Sequence, residues 1–136
     1  MGQYFQIINL DKKEKLHPHA FGDGLKLMEF ATSGNGVMTG LALLLRQSSQ
    51  SGGGDFNVGL SNALLGSWAG DRVSIVGDYD DSELYFDGEY KDISKEVVKM
   101  CKLDPYVKET IENSFYAGLA DDKITGRDII EALGDA

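Results

Sequence analysis

Tyr4-Phe5-Gln6-Ile7-Ile8-Asn9-Leu10, followed by Asp11-Lys12-Lys13-Glu14 and then Lys15-Leu16-His17-Pro18, is the stretch that decides the fold class. Aromatic and β-branched residues dominate its first seven positions, the composition that fits a pleated, half-buried strand. The four polar residues after them make a turn, from which Lys15-Leu16-His17 can return antiparallel. Pro18 has no N–H to give a ladder, so the returning strand ends there or lies on a sheet edge. The chain therefore begins with a hairpin near residues 4–17.

Outward from the hairpin, Gly22-Asp23-Gly24 supplies a turn, and Asp23 is placed to cap a helix from Leu25 to about Thr32. Ser33-Gly34-Asn35-Gly36 breaks the chain again. A second helix is expected over about Val37 to Gln47, with Val37, Leu41, Leu44 and Leu45 inward and Gly40 allowing a close approach. It is apolar nearly all round, the pattern of a central buried helix. Ser48 to Asp55 is rich in Ser and Gly and reads as a flexible loop, with a short helix near Ser61 to Leu65 after it. Asp71 to Gly77 alternates polar and apolar and reads as a strand, with Glu83-Leu84-Tyr85-Phe86 as its partner across a turn at 78–82.

The remainder reads as helical. Ser94 is placed to cap Lys95 to Lys102, and Asp104-Pro105 is an acidic cap followed by proline at the first helical position. Val107, Ile111, Ser114 and Phe115 fit one face of the helix that follows. Thr125-Gly126-Arg127-Asp128 resembles a capping box for a last helix carrying Ile129, Ile130 and Leu133. The expectation is an α+β domain spanning 1–136. A small antiparallel sheet (the hairpin near 4–17 plus strands near 71–77 and 83–86) packs against several helices, and the C-terminal third is helical.

A chain of 136 residues can bury a core without staples, and 42% hydrophobic with 26% charged residues is ordinary for a globular domain. The single cysteine, Cys101, excludes an internal disulfide framework and a cysteine-based zinc cluster. Net charge is -9, and all of the excess lies beyond Trp68. Phosphate backbones and anionic lipid surfaces should repel such a chain, so nucleic acid and membrane are not expected partners. The amino terminus lacks the basic-then-apolar layout of a secretion signal, and the expected location is cytoplasmic.

Two constellations bear on function. His17 and His19 alternate, so on a continuous strand both would face one side, as metal-binding His-x-His pairs do. With Asp71 and Asp78 they form a candidate metal set. With Asp23, Trp68, Asp71 and Arg72 they form a candidate ligand set, in which Arg72 would clamp a carboxylate or phosphate and Trp68 would be a stacking wall. The plainer account makes the histidines satisfied turn residues and Trp68 a core anchor.

The second constellation is the acidic run from Asp78 to Asp92. Tyr79, Asp80, Asp81, Glu83, Tyr85, Asp87 and Glu89 combine aromatic contact area with carboxylates that steer a basic partner. Asp78, Asp80, Ser82 and Glu89 also fall on calcium-loop positions, but Glu83 stands where that loop requires glycine and the flanks read as strand. Gly52-Gly53-Gly54 lacks the lysine of a phosphate loop. Gly59-Leu60-Ser61-Asn62-Ala63 is a degraded nucleophile elbow with no convincing strand before it.

Asn9-Leu10-Asp11-Lys12, Leu16-His17-Pro18-His19, Phe21-Gly22-Asp23-Gly24-Leu25-Lys26-Leu27, Gly66-Ser67-Trp68-Ala69-Gly70-Asp71-Arg72 and Gly77-Asp78-Tyr79 together resemble a group of small bacterial and fungal proteins of no established function. The resemblance covers roughly residues 4 to 80. It implies that this part forms one unit, and it implies no activity. The expected function is that of a soluble, non-enzymatic binding protein of inhibitor, immunity or adaptor type. Its acidic surface around 78–92 would engage a basic protein, with no cofactor. The alternative is a divalent-metal, nucleotide-like ligand or hydrolytic site built from the His17/His19/Asp23 and Asp71/Arg72/Asp78 loops.

Overall fold

A computed structural model describes residues 2–114 and shows an α+β fold. The elements are β1 (Phe5–Asn9), β2 (Glu14–Leu16), a 3-10 turn (Pro18–Phe21), α1 (Leu27–Ala31), α2 (Val37–Leu45), β3 (Val73–Gly77), a second 3-10 turn (Leu84–Phe86), β4 (Lys91–Asp92), α3 (Ser94–Cys101) and α4 (Pro105–Glu112). Among the described residues no helix is long and apolar enough to cross a membrane.

The four strands form one sheet in the order β3-β1-β2-β4. β1 is central: Ile7 lies opposite Leu16 of β2 and opposite Ile75 of β3, both antiparallel. β4 joins β2 in parallel, with Glu14 opposite Lys91. The sheet is thus mixed rather than antiparallel. The expected strand at 83–86 is instead a 3-10 turn, because Glu83 takes a left-handed conformation (φ 62) that an extended strand cannot contain.

Successive residues of β1 point to opposite faces, and both faces are covered. Ile7 and Leu16 face a core of Phe21, Phe30, Val37, Leu41, Leu44, Trp68, Val97 and Met100, drawn from the helices and the loop before β3. Ile8 and Val76 face the other way, against Tyr90, Leu84 and Tyr85. That segment therefore folds back over the sheet instead of adding a strand to it.

α2 sits against the core as its apolar sequence requires, with Val37, Leu41 and Leu44 buried. Leu45, expected inward, is 37% exposed because the helix ends there. Gly40 lets the first 3-10 turn approach: a Cβ added there would stand 2.6 Å from Phe21 Cε2. The short helix expected near 61–65 does not form. Asn62 instead turns its own side chain back, accepting from Leu64 N–H at 2.9 Å, a local bond that competes with helix. The loop at 48–55 is gathered around Arg46, which donates to Asp55, Gln50 O and Ser51 Oγ.

α4 starts as the sequence specifies, with Asp104 accepting from Tyr106 and Val107 N–H and Pro105 in the first turn. Ser94 is the first residue of α3 rather than its cap, and Asp92 accepts from its N–H. Phe115 and the helix expected around Ile129, Ile130 and Leu133 lie outside the described residues.

Candidate functional site

β2 delivers His17 into the 3-10 turn, and both imidazoles end up buried, ring centroids 5.4 Å apart. His17 Nδ1 accepts from His19 N–H, and the His17 N–H donates to Ser94 Oγ at 2.7 Å, tying the turn to α3. His19 Nδ1 lies 2.6 Å from Asp23 O. Burial, reinforced by the neighbouring His19, pushes the His17 pKa down to about 4; burial also lowers that of His19. Both rings are held neutral at pH 7.

Asp23 was expected to cap the helix beginning at Leu25. That helix, α1, starts instead at Leu27, and Glu29 reaches back to the Lys26 N–H. Asp23 caps α2 from outside: its Oδ2 accepts from Val37 N–H at 2.7 Å. Gly36 is required beside it, since a Cβ at that position would run into the Asp23 carboxylate. Burial raises the Asp23 pKa against these bonds. Asp23→Ala should therefore cost about 1–3 kcal/mol in urea unfolding, and Asp23→Asn, which keeps an acceptor, less. Equal losses for the two would show that the cap bond contributes nothing.

Asp71 and Arg72 serve the other end of the sheet. Asn9, fully buried, accepts from the N–H groups of Asp11 and Lys12 and donates Nδ2 to Asp71 at 2.9 Å. Lys12 also pairs with Asp71. Arg72 donates both its N–H and its side chain to Asp11. These contacts hold the β1–β2 turn against the start of β3, and they keep both carboxyl groups below the usual range. Trp68 is fully buried and donates Nε1–H to Glu14 at 2.8 Å, which makes it the core anchor rather than an exposed stacking wall. Asp78 accepts from Tyr4 N–H at the far end of β3.

His17 and His19 therefore lie under α3, Asp71 beside the β1–β2 turn, and Asp78 by Tyr4. No three His, Cys, Asp or Glu side chains among the described residues gather as a metal-binding group. Burial pushes the Cys101 thiol up to about 12, which suits a core residue and not a nucleophile.

The acidic segment is arranged differently. Asp80, Asp81, Ser82, Glu83, Phe86 and Asp87 line an open cavity of about 730 Å³. Tyr79 is 59% exposed and Phe86 is 70% exposed. Phe86 is one of the aromatics, with Tyr79, Tyr85 and Tyr90, that the sequence mixes with the carboxylates of this segment as contact area. Tyr85 packs inward instead, its hydroxyl buried and its pKa pushed up to about 12, chiefly by that burial. Glu89 pairs with Lys13 across to the β1–β2 turn. Asp80 holds the cavity wall by accepting from Ser82.

Comparison with known proteins adds nothing to this picture. The chain matches no family model, no curated protein and no solved structure.

Proposed function

We propose that this is a non-enzymatic binding protein whose 78–92 surface engages a basic protein partner, in an inhibitor, immunity or adaptor role. The observation that carries the reading is the cavity walled by Asp80, Asp81, Glu83 and Asp87 with Phe86 exposed at it. Four carboxylates around one concavity steer and receive a cationic side chain, and an aromatic ring adds apolar contact and a face for a guanidinium. The segment's inner residues, Leu84, Tyr85 and Tyr90, are fixed on the sheet, so the acidic rim is presented on an anchored base.

The test is charge reversal at Asp80→Lys, Asp81→Lys and Glu83→Lys together, with Phe86→Ser as a separate variant. All four side chains are exposed, so far-UV circular dichroism should be unchanged. In a pull-down at low salt, the triple variant should lose the partners that the parent protein recovers, and raised salt should weaken the parent in the same way. Equal recovery of every partner by the parent and the triple variant would end this reading.

A further inference from the structure

The two edges of the sheet are built differently. β4 is two residues long, and both Lys91 and Asp92 are charged and exposed, the usual protection against edge-to-edge pairing. β3 is five residues, Val-Ser-Ile-Val-Gly, with no charge and no proline. The hydrogen bonds from Leu10 N–H to Arg72 O and from Asp78 N–H to Tyr4 O set the alternation along β3. Arg72, Ser74, Val76 and Asp78 turn their backbone groups toward β1. Val73, Ile75 and Gly77 turn theirs outward. Among the described residues, no backbone group pairs with those of Val73 or Ile75 on that side. Ile75 is also 40% exposed in the middle of the strand.

We propose that β3 pairs antiparallel with β3 of a second copy of this chain, about a two-fold axis at Ile75. The register is what argues for a second copy. Centring on Ile75 places Val73 opposite Gly77, Ser74 opposite Val76, and Arg72 of each copy opposite Asp78 of the other. The strand is thus complementary to itself: Arg72, paired with Asp11 but with its side chain 75% exposed, meets Asp78, which also accepts from Tyr4 N–H, at both ends. Directly opposed opposite charges stabilise a strand pair, whereas a register shifted by two residues would set Arg72 against Val76 or against Asp80 beyond the strand end. On the core-side face, Ile75 meets Ile75 and removes the exposed apolar side chain from water. The result is one continuous eight-stranded sheet. A five-residue edge is small, so the dimer is expected to be concentration-dependent rather than obligate.

Sedimentation velocity on the full chain, from about 1 µM to about 500 µM, should show a rise from monomer to dimer mass. Ile75→Lys places a charge on the axis and should weaken association at least about tenfold. Its thermal midpoint should stay close to that of the parent, because the side chain is already exposed in the monomer. Cross-linking tests the register independently. Across an antiparallel hydrogen-bonded pair the Cα atoms stand about 5.5 Å apart, inside the disulfide range. Ile75→Cys should therefore form a covalent dimer on mild oxidation, while Ser74→Cys, offset from its own copy, should not. Cys101 is buried and does not compete. A monomer at every concentration, a dimer unaffected by Ile75→Lys, or equal cross-linking from the two cysteine variants would each overturn the proposal.

Discussion

Trp68→Ala should destabilise the protein by about 3–5 kcal/mol, a large share of the roughly 5–15 kcal/mol that holds an ordinary domain folded. The indole is fully buried at the meeting point of α2, β2 and the loop that leads into β3. The backbone on both sides of it is bound to α2, Trp68 N–H to Leu44 O and Gly66 N–H to Leu43 O. Truncation therefore opens a cavity where three elements meet and leaves Glu14 without its donor. Trp68→Phe keeps most of the volume and loses the N–H bond, so about 1–2 kcal/mol is expected. Urea unfolding followed by far-UV circular dichroism is the right measurement, since Trp68 is the only tryptophan and both variants lose it as a fluorophore. A Trp68→Ala loss below about 1 kcal/mol would mean that the core is not organised around this residue.

The second large effect is loss of stability in mild acid. His17 has a folded-state pKa of about 4 against 6.5 for the free group. Between these values the unfolded chain binds a proton that the folded chain refuses. Stability is therefore full above pH 6.5 and falls by about 1.4 kcal/mol per pH unit on acidification, about 3 kcal/mol over the window. His19, also lowered by burial, acts in the same direction. Asp23 opposes them, because its raised pKa makes the folded state take up a proton more readily than the unfolded one. Asp11, Asp55, Asp71 and Asp80 are all lowered, so their contributions are lost only as the pH falls below about 4, outside the histidine window. Urea midpoints at pH 7, 6, 5 and 4.5 should fall steadily for the parent, and His17→Gln should flatten the slope. An unchanged slope in that variant would assign the acid sensitivity to other groups.

Much of the fold was legible because the signals were local. The strand composition of Tyr4–Leu10, the Asp71–Gly77 strand and the Asp104-Pro105 helix start each depend on neighbours in sequence, and each element appears in the structure. What was misread depends on distant partners. Asp23 has the sequence context of a cap for the helix just after it, but it caps one 14 residues on. Lys91-Asp92 has no strand pattern and becomes one only because β2 offers it an edge. Leu84-Tyr85-Phe86 has strand composition, but the left-handed turn at Glu83 and the apolar patch around Ile8 pull it across the sheet face. Asn9 passed as an ordinary strand residue, yet its side chain shapes the turn after it and bonds to Asp71 from 62 residues away. The acidic cavity was foreshadowed as a charged surface. Its concavity and the outward ring of Phe86 depend on the same turn, so they were not readable from composition.

The parallel pairing of β2 with β4 also governs the order in which the chain can fold. β1 and β2 are neighbours, but a lone two-stranded hairpin is marginal in water. Both flanking strands arrive late, β3 beginning at Val73 and β4 ending at Asp92, and the His17–Ser94 bond closes a separation of 77 residues. During synthesis Ile7 and Leu16 can meet Phe21, Phe30, Val37, Leu41 and Leu44 early, but the Ile8 face must wait for Val76, Leu84, Tyr85 and Tyr90. Until Val73 emerges the central strand has only one strand neighbour, and one face of it stays open.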